Sequence, residues 1–282
     1  MTARILMCPP DHYGIEYEIN PWMNRSLGAM RELAYHQWRS LRTALRGLGA
    51  TIEELEPRPG LPDLVFTANA GLILGKVFLS SRFRHAVRAR ESPVFESWFT
   101  QQGFEIEHLP TDMYHEGAGD ALFCGDILFA GYRQRSDATA HQWVAHRFNL
   151  RCLPIELVNP RFYHLDTCFC PLNRETALYH PAAFDSYGRR VLESHIPKLI
   201  PVEEDEALRF GCNAVVVGSS VVHNAGCPKM AESLREAGFT SIAIELDEFL
   251  KAGGSAKCLT LRLDGEEAAG WKNDAPGDEP GA

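Results

Sequence analysis

Four stretches of this 282-residue chain share one form: a short apolar strand, a tight turn and a second apolar strand. They run over residues 69–79, 120–130, 166–179 and 213–223, and a fifth, with less of a hairpin, begins at Cys258. Their opening residues are 51, 46, 47 and 45 positions apart. A repeat of this length marks units that cannot each bury a core and must pack on one another. Three of the hairpins turn at Gly75-Lys76, Gly125-Asp126 and Gly218-Ser219, glycine-first pairs that suit two-residue turns. Amphipathic stretches at 93–102, 138–147, 185–194 and 228–238 lie between them, the last ended by Gly238. Short strands at 105–109, 151–155 and 241–245 follow three of these helices. An additional helix and strand, near 28–48 and 50–55, are assigned to the first unit. The pattern predicts an α/β fold in which about five hairpin–helix–strand units surround a common axis. Residues 1–263 form this single domain, and 264–282, rich in Gly, Pro, Asp and Glu, read as a disordered tail.

A ring has a chemical consequence. Asn69, Asp120, Asp166, Asn213 and Cys258 open successive hairpins, so the repeat brings them to one end of the axis. Cys258 follows a flexible Gly253-Gly254-Ser255 turn, and His164 and Glu116 stand at two earlier openings. A thiol, an imidazole and a carboxylate suffice for covalent catalysis with no metal and no organic cofactor. On these residues alone, a buried structural thiol and solvated turn acids are the competing readings.

Composition narrows the partners. The net charge of -9 disfavours nucleic acid and anionic membranes and favours a small cation. No basic segment leads into an apolar stretch at the N-terminus, and no apolar run approaches the ~20 residues of a membrane span, so a cytoplasmic protein is expected. The eight cysteines are irregularly spaced and read as reduced thiols. Cys168 and Cys170 share a strand face but lack a second ligand pair at suitable spacing, so no metal is expected there.

The motifs Phe66-Thr67-Ala68-Asn69, Glu116-Gly117-Ala118-Gly119-Asp120, the 131–136 loop Gly-Tyr-Arg-Gln-Arg-Ser, His164-Leu165-Asp166 and the 253–258 segment recur at repeat spacing. In this order they resemble the guanidine-modifying superfamily, whose fold is the five-bladed α/β propeller called the pentein. The resemblance covers about residues 1–263. The openings at 7–13 and 19–23 are similar to the branch holding arginine dihydrolases and dimethylargininase-like proteins. Arginine deiminases and dimethylargininases carry an aspartate where this chain has Asn69, whereas the Phe-Thr-Ala-Asn-Ala-Gly form resembles the arginine dihydrolases.

The resemblance implies Cys258 as nucleophile, His164 as general acid and base, and Glu116 and Asp166 as guanidinium clamps. It implies Arg135 and Arg88 as holders of a substrate carboxylate, and Asn20 as a substrate contact from a lid over 11–19. Asp120 is placed among the substrate-binding residues, with a structural role beside it as the alternative. A neutral Asn69 would tolerate a urea intermediate as well as a guanidinium, allowing a second hydrolytic round. The implied reaction takes L-arginine to ornithine, ammonia and carbon dioxide; a citrulline-forming hydrolase is the alternative. An amidinotransferase is disfavoured, since nothing indicates an amine acceptor. The same fold also serves a ribosomal anti-association factor, so a non-catalytic ring is the rival of another class. Family members are often dimers or larger, so a homo-oligomer is compatible with this reading.

Overall fold

The glycine-first turns close their hairpins with positive φ, +62° at Gly75 and +60° at both Gly125 and Gly218. Glycine enters this region without steric cost, and turns of this kind match the twist of the flanking strands. The hairpin registers pair apolar side chains directly: Leu72 with Leu79, Leu122 with Phe129, Val216 with Val221.

The computed structural model describes residues 2–270. It is a mixed α/β protein with five three-stranded sheets. Four follow one recipe: an antiparallel hairpin, a helix, and a strand returning parallel to the second hairpin strand. The first joins Gly71–Leu74, Val77–Ser80 and Glu105–Glu107. The second joins Ala121–Cys124, Ile127–Tyr132 and Arg151–Glu156. The third joins Phe169–Pro171, Thr176–Tyr179 and Lys198–Pro201, and the fourth Val215–Val217, Ser220–Asn224 and Thr240–Ile244. The connecting helices are Ser92–Gln101, Ala138–Phe148, Ser186–His195 and Pro228–Glu236, close to the predicted bounds. Each turns an apolar stripe inward, such as Phe95 and Phe99 in the first and Met230 and Leu234 in the last. Full burial of one such side chain contributes about 1.5–3 kcal/mol. No helix among the described residues is long and apolar enough to cross a membrane.

Three expectations need correction. The helix Arg31–Gly47 and strand Thr51–Glu54 do not belong to the first unit. Thr51–Glu54 pairs parallel with Arg4–Met7, which pairs antiparallel with Leu261–Arg262, so the two ends of the chain complete the fifth sheet together. The third unit does have its return strand, Lys198–Pro201, which the sequence pattern missed. Finally, residues 264–270 are not a loose tail. Ala268 and Ala269 are buried, and Gly125 donates to the Ala268 carbonyl at 2.8 Å while Gly270 donates to the Gly125 carbonyl at 2.7 Å. Residues 271–282, the rest of the predicted disordered tail, lie outside the described residues.

Candidate active site

The five hairpin openings are hydrogen-bonded into a closed circle. Asn69 Nδ2 donates to the Glu116 carbonyl (3.4 Å), and the Leu165 amide to Asp120 Oδ1 (3.0 Å). Asn213 Nδ2 donates to the Asp166 carbonyl (3.0 Å), and the Cys258 amide to Asn213 Oδ1 (3.1 Å). The Ala68 amide then donates to the Cys258 carbonyl (3.2 Å), which closes the loop. Close approach of the openings requires glycine at two points. A Cβ on Gly117, whose φ is +63°, would lie 2.7 Å from the Gly71 carbonyl oxygen. One on Gly119 would lie 2.3 Å from Asn69 Nδ2 and 3.5 Å from the His164 ring.

One side of the site holds Cys258, Asp166 and Asn213. Cys258 belongs to the apolar cluster that also holds Tyr13, Phe66 and Phe249, but its sulfur is hydrogen-bonded to polar groups. Asn213 Nδ2 lies 3.1 Å from the sulfur, and Asp166 Oδ2 accepts from the thiol at 3.5 Å. Burial pushes the Cys258 thiol well above its ordinary range, and the Asp166 charge adds to this. Burial also pushes the Asp166 carboxyl up to about 7, against the pull of Lys257 and the Cys258 and Asn213 contacts. Asp166 Oδ1 is buried with no partner among the described residues. A buried acceptor left unmade costs about 1–3 kcal/mol, which an incoming N–H donor would recover.

The other side is a set of charges already paired. Glu116 Oε2 accepts from His164 Nε2 (2.8 Å) and from Arg135 (3.0 Å), while Oε1 accepts the Arg84 amide (3.1 Å). Burial raises the Glu116 carboxyl, but Arg135, the His164 bond and Arg88 outweigh it and hold the group well below the usual carboxylate range. Three of the roughly four acceptor positions of this carboxylate are therefore taken. Glu116 stands as the partner of His164, with one acceptor position left for the guanidinium contact expected of it. With Nε2 committed, His164 Nδ1 is its remaining nitrogen, buried and unpartnered among the described residues.

The remaining predicted residues divide. Asp120 is engaged by the protein on both oxygens: Oδ1 holds the Leu165 amide and Oδ2 the Ser136 hydroxyl (2.6 Å), so it ties down the His164 turn. Arg88 was expected to hold a carboxylate, yet most of its donors serve the protein. It pairs with both oxygens of Glu91 (2.9 and 2.8 Å), the Asp63 carbonyl (3.3 Å) and Asn69 Oδ1 (2.9 Å). Asn69 is thus buttressed between Arg88 and the Glu116 backbone. Arg135 is 3% exposed, lies over the Tyr163 ring at 4.6 Å and donates to the Ile19 carbonyl at 3.0 Å. Asn20 forms an Asx turn with the Trp22 and Met23 amides and donates to the Ala252 carbonyl at 3.0 Å. It links the N-terminal segment to the loop that carries Cys258.

Several residues at the site were not predicted. For Asn213 the available signal is its place in the Asn69–Asp120–Asp166 series of hairpin openings. Tyr163, beside His164, donates to the Gly253 carbonyl at 2.5 Å. Ser136, within the quoted Gly-Tyr-Arg-Gln-Arg-Ser loop, accepts the Glu116 amide at 2.9 Å. Arg84 had no local signal.

No family model matches the chain. Individual relatives do. The bifunctional arginine dihydrolase/ornithine cyclodeaminase ArgZ of Synechocystis is 48% identical over 265 residues, covering 92% of this chain and 37% of that protein. The N(G),N(G)-dimethylarginine dimethylaminohydrolase of Mycobacterium tuberculosis is 39% identical over 262 residues, covering 93% of this chain and 86% of that protein. The N-terminal domain of the cyanobacterial ArgZ, in an asparagine-to-serine variant covalently bound to a reaction intermediate, superposes with a TM-score of 0.90 at 46% identity. That match covers 94% of this chain and 99% of the domain. The chain spans less than two fifths of the length of the bifunctional relatives. By its likeness along most of its length to enzymes of this kind, the chain belongs to the guanidine-modifying superfamily, in the branch of the arginine dihydrolases and dimethylarginine dimethylaminohydrolases.

Proposed function

We propose that this chain hydrolyses the guanidine group of L-arginine to ornithine, two ammonia molecules and carbon dioxide, with Cys258 as nucleophile. The observation that carries the reading is the convergence on one ring of openings of the Cys258 sulfur, the unpartnered Asp166 Oδ1 and the free Nδ1 of His164. We infer also that the five sheets are blades around a common axis, with the site at one end of it. The eight unpaired cysteines fit a reducing compartment, and a cytoplasmic setting is part of the proposal.

Each part has a role set by its surroundings. Asp166 receives guanidinium N–H groups and fixes the plane of the cation. The cation beside Cys258 favours transfer of the thiol proton to His164 Nδ1, and the thiolate adds to the central carbon. His164 protonates the departing ammonia, leaving a covalent thiouronium, and then takes a proton from the attacking water. Collapse with release of the thiolate gives the urea, citrulline. A second addition expels the second ammonia to leave an S-carbamoyl enzyme, and water releases a carbamate that loses carbon dioxide. Glu116 keeps His164 oriented, with Arg135 sharing its charge. Neutral Asn69 contacts guanidinium and urea alike, which is what the second round requires. The segment 11–19, tied to Arg135 through Ile19 and followed by Asn20 on the Ala252 carbonyl, acts as a lid that lifts for entry.

Incubation with arginine and separation of ornithine from citrulline by mass spectrometry tests this reading. Ornithine is expected. Accumulated citrulline favours the deiminase alternative, and no turnover favours a non-catalytic ring. Asn69→Asp is expected to shift the product toward citrulline; an unchanged spectrum counts against the role given to Asn69.

A further inference from the structure

Lys257 stands immediately before the nucleophile, yet its side chain turns away from the polar ring into the interior. It is 5% exposed, unusual for a lysine. Its ammonium forms an ion pair with Glu266, which belongs to the docked segment 264–270. Together they line a small cavity of about 20 Å³ whose other walls include Phe123, Phe169 and Val216. The segment is held at both ends: Arg4 donates its amide to Asp264, and Gly270 and Ala268 bond Gly125. Arg262 anchors the middle through Glu267 at 3.1 Å and the Val216 carbonyl at 2.9 Å. Gly125 is the hairpin turn at the opposite end of its strand from Asp120. The segment therefore lies across the far side of the ring from Cys258, and Lys257 joins the two sides.

We propose that Lys257 and Glu266 are positioning residues for the site: the docked segment holds the Lys257 ammonium under its floor and so sets the charge that Asp166 presents to a guanidinium. A buried lysine without Glu266 would carry an uncompensated charge, and Glu266 tempers its reach. The groups that act on Asp166 are Lys257, which favours its ionised form, Glu266, which opposes it, and the Cys258 thiol that bonds it. Tyr163, Cys168 and Cys170 also face this charge and are held neutral by burial. Asn213 fixes the geometry, taking the Lys257 amide on its carbonyl at 3.2 Å and giving its side-chain amide to the Asp166 carbonyl.

The inference rests on Asp166 being the carboxylate that receives the cation, and its test separates the two. The Asp166 carboxyl is titrated by NMR in the full chain labelled with 13C-aspartate, assigned through Asp166→Asn, without substrate. Lys257→Met is expected to move its midpoint up by about one pH unit or more, and Glu266→Gln to move it down. Lys257→Arg, which keeps the charge, should restore the midpoint. Glu266→Gln keeps the test decisive if Lys257→Met fails to fold. Opposite shifts support the proposal; a midpoint common to all variants overturns it. The KM for arginine at pH 6, measured in parallel, judges the role of Asp166 separately, since it should follow the same order.

Discussion

The two sides of the site meet opposite electrostatic fates. Glu116 and Asp166 are both fully buried carboxylates at hairpin openings. Glu116 has Arg135 and His164 against it and is held ionised far into acid. Asp166 has a thiol, an amide and one unpartnered oxygen, and its proton is held up to about 7. Burial is the largest influence on both groups, so the difference is made by the neighbours. The paired side is preorganised, and under the proposed function it carries the proton chemistry. The unpaired side keeps an open acceptor, which in the proposed function a planar cation fills while favouring loss of the Cys258 proton.

The sharpest way to break this comparison is Glu116→Gln. It should lower kcat by about 10²–10⁴ while leaving KM within a few-fold, because His164 loses its orienting charge and the cation site is untouched. A raised KM with intact kcat would return Glu116 to the role of clamp. Asp166→Asn should do the reverse to binding, raising KM by about 10² with loss of a charge-assisted pair. The same variant has a stability signature. An acid whose value is raised by folding contributes stability below the ordinary carboxylate range and loses it as pH rises through about 7. Asp166→Asn should therefore stabilise the empty protein at pH 8, by on the order of 2–4 kcal/mol, and not at pH 3; thermal melts at the two values check it. In the unaltered protein, KM for arginine should rise up to tenfold per unit as pH falls below about 7, since binding then requires loss of the Asp166 proton. A flat KM from pH 5 to 8 would show that Asp166 does not titrate against the substrate. The smallest effect is expected from Asn20→Ala. Loss of its bond to the Ala252 carbonyl should raise KM a few-fold by loosening the covering segment, with kcat nearly unchanged.

The repeat was legible because its turns demand glycine and its helices carry a clear apolar stripe. Lys198–Pro201 escaped notice because it is short, half exposed and ends in proline. The fifth sheet joins residues more than 250 positions apart, a pairing that local patterns do not encode. The acidic, glycine-rich composition of 264–270 hid the fact that Glu266 answers Lys257 and that Ala268 and Ala269 bury themselves at a neighbouring turn. That Cys258, His164 and Asp166 meet on one ring of openings was readable from motif and spacing. What Glu116, Asp120 and Arg88 bind was not, because carboxylates and guanidiniums recognise ligand and protein by the same geometry. Only the tertiary partners decide which of the two is present.

The central claim is that the Cys258 thiol is held neutral until a cation completes the Asp166 side. Its most direct measurement compares alkylation of Cys258 at neutral pH by a cationic haloacetamidine and by the neutral haloacetamide of the same size, followed by peptide mass spectrometry. The account predicts labelling by the amidine about 10² times faster, with the advantage lost in Asp166→Asn. Equal rates for the two reagents would contradict it.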